Sequence, residues 1–346
     1  MDKKITTITD IAKKANVSIA TVSRVINNSG RVKLATKKKV EQVIKEEKFV
    51  PNAVARSLAN KKNRTIGFMF PDIIHPAYGA FVKTVEQTAS ERGFLLMLFL
   101  ISYENQKLDY YINEMLERRI DGLLMAGIQP NGKEAIIENA QRFMPIVSIQ
   151  SDIPGVDRID CTDEQGTYEL TDYLIQNGHE KIGFIGYRFD YTIMINRLAG
   201  YKKALEAHNI PYREEYFSPC TSDKESAYDA AVKLLELKDP PTAIHCSNET
   251  LAYYVYTAAK ERGLRIPQDL TVTSFDNESY AELLSPQTTT IEQPVRQMGE
   301  LAVERLLKQI EEEGKGAALG GVRICVPTRL VKRQSVWNLN THMLAT

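Results

Sequence analysis

From Thr65 onward, short apolar runs alternate with amphipathic stretches, and this alternation narrows the possible folds more than any other feature. Residues 66–70 read as a strand. Residues 77–92 read as a helix with Phe81, Val85 and Ala89 on one face. Strand 94–100, helix 106–118 and strand 122–126 follow, then a helix and strand 146–149. The pattern restarts after about residue 160, with helix 167–176, strand 181–185, helices 197–208 and 226–237, strand 243–246, helix 251–262 and strand 270–275. Strands joined through helices build parallel sheets with helices on both faces. The stretch is too long for one such sheet and predicts two doubly wound lobes with a cleft between them. Ligands of open α/β sheets bind outside the carboxyl ends of the strands, so strand ends from both lobes are expected to face the cleft.

The first 64 residues have a different texture. They hold 16 Lys and Arg against 5 Asp and Glu, whereas the rest holds 28 against 39, so a formal net charge of zero hides a basic segment and an acidic one. A basic segment of this kind points to an anionic partner such as nucleic acid. Residues 7–48 read as a small all-helical unit. Thr7 is the expected N-cap of a first helix, with Asp10 in its first turn and Ile11, Ala12 and Ala15 as its apolar face. Asn16 is its expected stop. Ser18 is the expected N-cap of a second helix, with Val22, Val25 and Ile26 pointing inward. The turn 27–30 leads to a third helix that buries Val40, Val43 and Ile44. Lys37, Lys38 and Lys39 crowd its start, against the helix dipole, and a polyanion would relieve that repulsion. Residues 52–59 have helical potential, but an isolated helix this short is marginal in water and needs a partner.

Other classes are excluded on the sequence. No run of 18 apolar residues exists, and no N-terminal leader pattern, so the expectation is a cytoplasmic protein without a membrane span. Cys161, Cys220, Cys246 and Cys325 form no Cys-x-x-Cys pair, which argues for reduced, mostly buried thiols and against a zinc or redox site. No phosphate-binding, dinucleotide, zinc-protease or nucleophile-elbow motif is present, so no enzyme, metal or cofactor is expected. An apolar fraction of 43% excludes a disordered chain.

The second helix carries the sharpest functional signal. Ile19, Ala20 and Arg24 lie on one outward side. Arg24 can bind guanine bidentately, and Ile19 and Ala20 can touch a thymine methyl. Ser18, Thr21, Ser23 and Asn27 can hold phosphates, which positions without specifying. The segments Thr7-Ile8-Thr9-Asp10-Ile11-Ala12 and Val17 to Asn27 resemble the headpiece of the LacI/GalR family of bacterial transcription regulators. The resemblance continues through Pro51-Asn52, Ala55-Arg56, Leu58, Ile66-Gly67, Gly178-His179, Arg197 to Tyr201, Asn248, Phe275-Asp276 and Thr290 to Pro294.

That resemblance implies a helix-turn-helix headpiece over 1–50, a hinge helix and linker over 51–64, and a core of periplasmic-binding-protein type over 65–346. The N-lobe is expected at about 65–160 and 292–320, and the C-lobe at about 161–291 and 321–340. It further implies a homodimer on pseudo-palindromic double-stranded operator DNA, with Leu58 as a minor-groove wedge at the central base step. Ile8, Thr9, Arg31, Thr36, Asn52, Ala55 and Arg56 complete the expected DNA-facing set. Asp72, Tyr78, Gln150, Arg197, Asn248, Asp276 and Gln293 are the expected effector set, whose chemistry suits a sugar: carboxylates accept hydroxyl hydrogens, and Arg and Asn donate to oxygens. Gln150-Ser151 stands where many sugar-binding relatives have an acidic residue, which predicts a less charged wall there. Lys33 stands where many members have a capping Ser. The expected function is a ligand-responsive repressor. The alternatives are a regulator needing a corepressor or protein partner, a DNA-binding protein without effector, and a sugar-binding protein.

Overall fold

The computed structural model describes residues 6–26, 30–49, 63–101, 106–187, 192–221, 223–312 and 321–343. It comprises two compact units, Met1–Asn63 and Arg64–Thr346. In the first unit, helices α1 (Ile8–Ala15), α2 (Ile19–Ile26) and α3 (Leu34–Glu46) bury Ile11, Ala12, Ala15, Val22, Val25 and Val40 in one core. The Thr7 hydroxyl accepts from the Asp10 N–H at 3.3 Å and the Asp10 carboxylate from the Thr7 N–H at 2.9 Å. This reciprocal capping box satisfies two otherwise orphaned donors. Asn16 closes α1 at φ 53°, a left-handed conformation that Asn tolerates. The Ser18 hydroxyl caps α2 by accepting from the Thr21 N–H at 3.1 Å. Lys33, at the N-cap of α3, makes no side-chain cap. The expected hinge helix falls outside the described residues.

The second unit contains two six-stranded sheets. The first is formed by β1 (Thr65–Phe70), β2 (Leu95–Leu100), β3 (Gly122–Ala126), β4 (Ile146–Ile149), β5 (Asp157–Cys161) and a late strand, β11 (Arg323–Val326), in the order β11-β5-β4-β3-β1-β2. The second is formed by β6 (Ile182–Tyr187), β7 (Phe217–Cys220), β8 (Ala243–Cys246), β9 (Thr271–Asp276), β10 (Thr289–Glu292) and β12 (Arg329–Val331), in the order β12-β10-β9-β8-β6-β7. Every pairing is parallel except that of β10 with β12.

Side chains that alternate along a strand feed two cores in each lobe. Ile66, Phe68 and Phe70 point to helices α4 (Pro76–Glu91) and α12 (Val295–Glu312), which contribute Phe81, Val85, Met298, Ala302 and Leu306. Met69, Leu123 and Met125 point to the opposite face, against Ile112 and Met115 of α5 (Leu108–Glu117) and Ile137 of α6 (Glu134–Gln141). In the second lobe, α7 (Asp163–Gln176) and α8 (Thr192–Ala207) cover Phe184 and Phe275 with Leu170, Leu174 and Tyr201. Helices α9 (Lys224–Leu235) and α10 (Glu249–Glu261) cover Ile185, Ile244 and Val272.

The chain passes between the sheets three times: after β5, after β10 and after β11. The first and third passages are tied together, because the Thr162 hydroxyl accepts from the Thr328 N–H at 2.9 Å and lies 2.9 Å from the Thr328 hydroxyl. This corrects one expected boundary. Residues 321–340 are expected in the second lobe, but β11 runs parallel to β5 in the first sheet, with Arg323 opposite Arg158, before the chain crosses to β12.

Candidate functional site

Two surfaces gather the residues singled out by sequence. On the helical unit, α2 carries Ile19, Ala20 and Arg24 on its exposed side, with Ile19 48% exposed. The stem of Arg24 passes over Gly30, whose φ of +73° turns the chain at that point. Ser18, Thr9 and Arg31 are exposed, and Thr21, Ser23 and Thr36 are half-buried. Ile8 is half-buried and packs against the helical core. Asn27, Asn52, Ala55, Arg56 and Leu58 lie outside the described residues.

The second surface is the cleft between the two sheets. Asp72 and His75 follow β1, Gln150 follows β4, Asn248 follows β8, Asp276 ends β9 and Gln293 follows β10. These are carboxyl ends of parallel strands, the expected ligand side of such sheets. Arg197 reaches the same place from α8. Its guanidinium carbon sits 3.6 Å from the centre of the Phe275 ring. Nε donates to Asp163 Oδ1 at 2.8 Å, Nη2 to Asp276 Oδ1 at 3.1 Å, and Nη1 to the Ser247 carbonyl. Arg197, Asp163 and Asp276 are each at most 5% exposed. Burial pulls the Arg197 pKa down, but Asp276 and Asp163 outweigh it and hold the group above its ordinary range. Burial pushes the Asp163 carboxyl up, against the pull of Arg197.

The remaining members extend this network. Gln293 Nε2 donates to Asp276 Oδ1, and Gln293 Oε1 is buried without a partner. Asn248 caps α10, its Oδ1 accepting from the Leu251 N–H at 2.9 Å, so its Nδ2 faces His75 Nε2 at 3.4 Å. His75 Nε2 also lies 3.9 Å from Asp276 Oδ2, so this histidine of the first lobe bridges to two residues of the second. Burial pushes the His75 pKa down, which keeps the ring neutral near pH 7. Asp276 sits at φ 101° and Asn277 at φ 59°. Such strain at a non-glycine residue is characteristic of functional sites. Tyr78 is half-buried; its ring lies 5.7 Å from that of His75, and its hydroxyl lies against Gly127, where a Cβ would be 2.0 Å away. A groove of about 760 Å³ between α4 and the start of α12 reaches Asp276 and Gln293.

The structure therefore brings Arg197, Asn248, Asp276 and Gln293 into direct contact or close to it, with Asp72 and Tyr78 at the rim. Gln150 is buried behind this network, its Nε2 donating at 3.2 Å to the carboxylate of Asp163. Sequence reasoning missed Asp163 and also Glu249. Glu249 is 2% exposed, and its Oε1 accepts from the Ser274 hydroxyl at 3.2 Å, the Asn277 N–H at 2.8 Å and the Thr290 hydroxyl at 2.7 Å. Burial, then the charge of Asp276, push its carboxyl up to about 8. Each opens the helix that follows a strand, Asp163 two residues after β5 and Glu249 three after β8.

Comparison with known proteins agrees with this architecture. Residues 7–52 match the model of bacterial regulatory proteins of the lacI family, and residues 171–336 that of a periplasmic binding protein-like domain. The chain is 35% identical to the HTH-type transcriptional regulator DegA of Bacillus subtilis (strain 168), over 97% of this chain and 99% of that protein. Among solved structures, the lac repressor dimer bound to operator and the anti-inducer ONPF superposes with a TM-score of 0.86 at 26% identity, covering 96% of this chain and 100% of that one. The CelR–cellobiose complex superposes at 0.72 and 26% identity, covering 95% and 99%. No described helix is long and apolar enough to cross a membrane. A helix-turn-helix unit, a two-lobed ligand-binding core and full-length relatives that regulate transcription lead to one conclusion: the chain belongs to the LacI family of DNA-binding transcription regulators and is not an enzyme.

Proposed function

We propose that this protein is a cytoplasmic repressor that binds a pseudo-palindromic operator as a homodimer and releases it when a carbohydrate binds between the core lobes. The observation that carries the reading is the buried set Asp276, Arg197, Asn248 and Gln293. It combines a carboxylate that accepts hydroxyl hydrogens with a guanidinium and amides that donate to ring and hydroxyl oxygens. These side chains belong to the second lobe or its exit, and His75 of the first lobe lies 3.4 Å from Asn248 and 3.9 Å from Asp276, so a ligand seated among them touches both lobes. The cellobiose complex of the CelR regulator supports the sugar class. On the helical unit, Ile19, Ala20 and Arg24 supply base contacts, and Ser18, Thr21, Ser23 and Arg31 hold phosphates. Ile8, Thr9, Thr36, Asn27 and the segment holding Asn52, Ala55, Arg56 and Leu58 extend the same DNA-facing set.

The dimer reading is supported by β2. It is an edge strand, and Leu95, Met97, Leu98 and Leu100 on it are exposed, with Ile73 and Ile74 exposed in the loop after β1. An apolar edge of this kind invites pairing and is normally covered. Switching follows from differential affinity: a ligand that binds one lobe arrangement more tightly shifts the population toward it. A coupling of ~1–3 kcal/mol changes operator affinity ~5–150-fold.

The test begins with operator selection from random duplexes at fixed salt, because phosphate contacts make affinity salt-dependent. A sugar panel is then screened for release of the selected operator. The expected result is a two-fold symmetric site, weakened sequence preference in Arg24→Ala, and a sugar response lost in Asp276→Asn with operator binding retained. Operator affinity indifferent to every sugar, or strengthened by one, would replace this reading with the effector-free or the corepressor alternative respectively.

A further inference from the structure

We propose that Asp163 sets the charge preference of the cleft, so that the ligand is hydroxyl-rich and carries no phosphate or carboxylate. This rests on the cleft being the effector site, as read above.

The first line of argument is charge. Arg197 is permanently protonated, and it is the guanidinium at the centre of the network. Two carboxylates hold it: Asp163 Oδ1 at 2.8 Å and Asp276 Oδ1 at 3.1 Å. If both are ionised the cluster carries a net charge of −1; if Asp163 is protonated it carries none. In neither state does Arg197 have net positive charge left for a ligand. Asp163 is also held from its other side, by Gln150 Nε2 on Oδ2 at 3.2 Å, so its position does not depend on a ligand. The neighbours do not reverse the balance. Burial keeps His75 neutral, and the nearby charges of Asp72 and Glu278 are negative ones. Among the described residues, Arg197 is the one Lys or Arg paired with Asp163 or Asp276, and of the cations lining the groove that reaches Asp276 and Gln293, Arg296 and Arg329 are paired with Glu300 and Glu292, while Lys83 stands on α4. An anionic group entering here would lose its hydration and meet carboxylates, a combination that is strongly unfavourable in a buried site.

The second line is hydrogen-bonding capacity, and it is independent of charge. Gln293 Nε2 is committed to Asp276, which fixes Gln293 Oε1 as an acceptor, and this atom is buried with no donor. The Ser247 hydroxyl is likewise buried and unfilled. A buried acceptor without a donor costs about 1–3 kcal/mol until something supplies one. Hydroxyl hydrogens can do so, whereas an ionised carboxylate is an acceptor only and a phosphate donates only through an oxygen that keeps its proton. His75 Nδ1, also unfilled, is an uncharged position that a hydroxyl oxygen satisfies as well as an anion would.

The experiment has two arms on the full-length protein. In the first, inorganic phosphate is the probe, so no ligand need be known. Melting temperature is read in 50 mM phosphate against a non-coordinating buffer of equal ionic strength, for the wild type and Asp163→Asn. The variant is expected to gain at least ~2 °C more than the wild type from phosphate, because one counter-carboxylate of Arg197 has been removed. A wild-type gain equal to or above that of the variant overturns the proposal. In the second arm, each of a panel of hexoses, pentoses and disaccharides is titrated beside its own uronate and phosphate ester. The neutral form is expected to bind at least ~10-fold tighter than either charged form, and Asp163→Asn to narrow that ratio. A uronate or phosphate ester that binds the wild type more tightly than its parent sugar overturns the proposal, and this measurement stands even if the variant folds poorly. If phosphate discriminates as expected but no neutral sugar binds, the carbohydrate reading falls and the charge preference stands.

Discussion

Replacing Glu249 by Gln should reverse part of the pH dependence of the core, and the size of the effect can be worked from the site. The Glu249 carboxyl is buried, faces Asp276 and titrates at about 8 in the folded chain against an ordinary value of 4.5. A carboxyl raised in this way holds its proton longer when folded than when unfolded. Its contribution is therefore fully present below pH 4.5 and is lost as pH rises toward 8. The slope is about 1.4 kcal/mol per pH unit, because one pKa unit corresponds to 1.36 kcal/mol. Glutamine keeps an oxygen for the donors now serving Oε1, namely Ser274, Asn277 and Thr290, and cannot ionise. Its NH₂ takes the place of Oε2, which has no partner now, so any fixed cost of that group is the same at every pH. Between pH 5.5 and 7.5 the stability of Glu249→Gln relative to wild type should thus rise by about 2.5 kcal/mol, roughly 5 °C at ~2 °C per kcal/mol for a unit of this size. Melting curves of both proteins at four pH values would read it directly. Parallel curves would mean that Glu249 is ionised at its ordinary value, and the argument from burial would be refuted.

Three further outcomes follow from named contacts. Gly200→Ala should destabilise the core by about 1–3 kcal/mol or more, because a Cβ there would lie 2.1 Å from the Glu164 carbonyl oxygen, and backbone cannot swing aside as a side chain does; an unchanged melting temperature would show that α7 and α8 can separate at no cost. Acid should destabilise the core through its buried histidines: burial holds His245 at about 3 and lowers His75 and His179 from 6.5, so the unfolded chain takes up protons first as pH falls below 6.5. His245 alone should cost about 2 kcal/mol at pH 5, read as the difference between wild type and His245→Gln, which cancels the opposing slopes of the raised carboxyls; parallel profiles of the two proteins from pH 6.5 to 5 contradict the burial argument. Lys33→Ser should stabilise the helical unit by about 1 kcal/mol, by capping α3 and removing a lysine from its positive end, which thermal unfolding followed by circular dichroism would detect.

The parts of the fold legible in the sequence were those where one periodicity dominated. Strands such as Gly122–Ala126 and Ala243–Cys246 are short and apolar throughout, and they emerge with the bounds expected. The strands missed are those whose polarity is satisfied by distant partners. In β5, Asp157, Arg158 and Asp160 are all buried. Asp157 accepts from Arg305, Gln309 and the Val322 N–H, and Asp160 pairs with Arg158 and Arg323. Those partners lie 2 to 165 residues away in sequence, so a local reading sees a polar loop. Pro219 disguised β7 similarly. A proline cannot donate to a sheet ladder and is confined to edges, and β7 is an edge strand.

The same cause explains what was missed in the cleft. Arg197 to Tyr201 could be quoted as a pattern, but the physical reasons for it appear only in three dimensions: Arg197 bridges two carboxylates, Gly200 lets two helices cross, and the Tyr201 hydroxyl donates to the Ile182 carbonyl at 2.7 Å. Asp163 was overlooked because the strand before it was overlooked, and with it went the counter-charge of Arg197. A reading confined to Arg197 and Asp276 describes a neutral pair. Adding Asp163 turns that pair into a cluster that is net negative when both carboxylates are ionised. The residue that decides which ligands the cleft accepts is therefore one whose importance cannot be read from its neighbours in sequence, only from the guanidinium it meets 34 residues away.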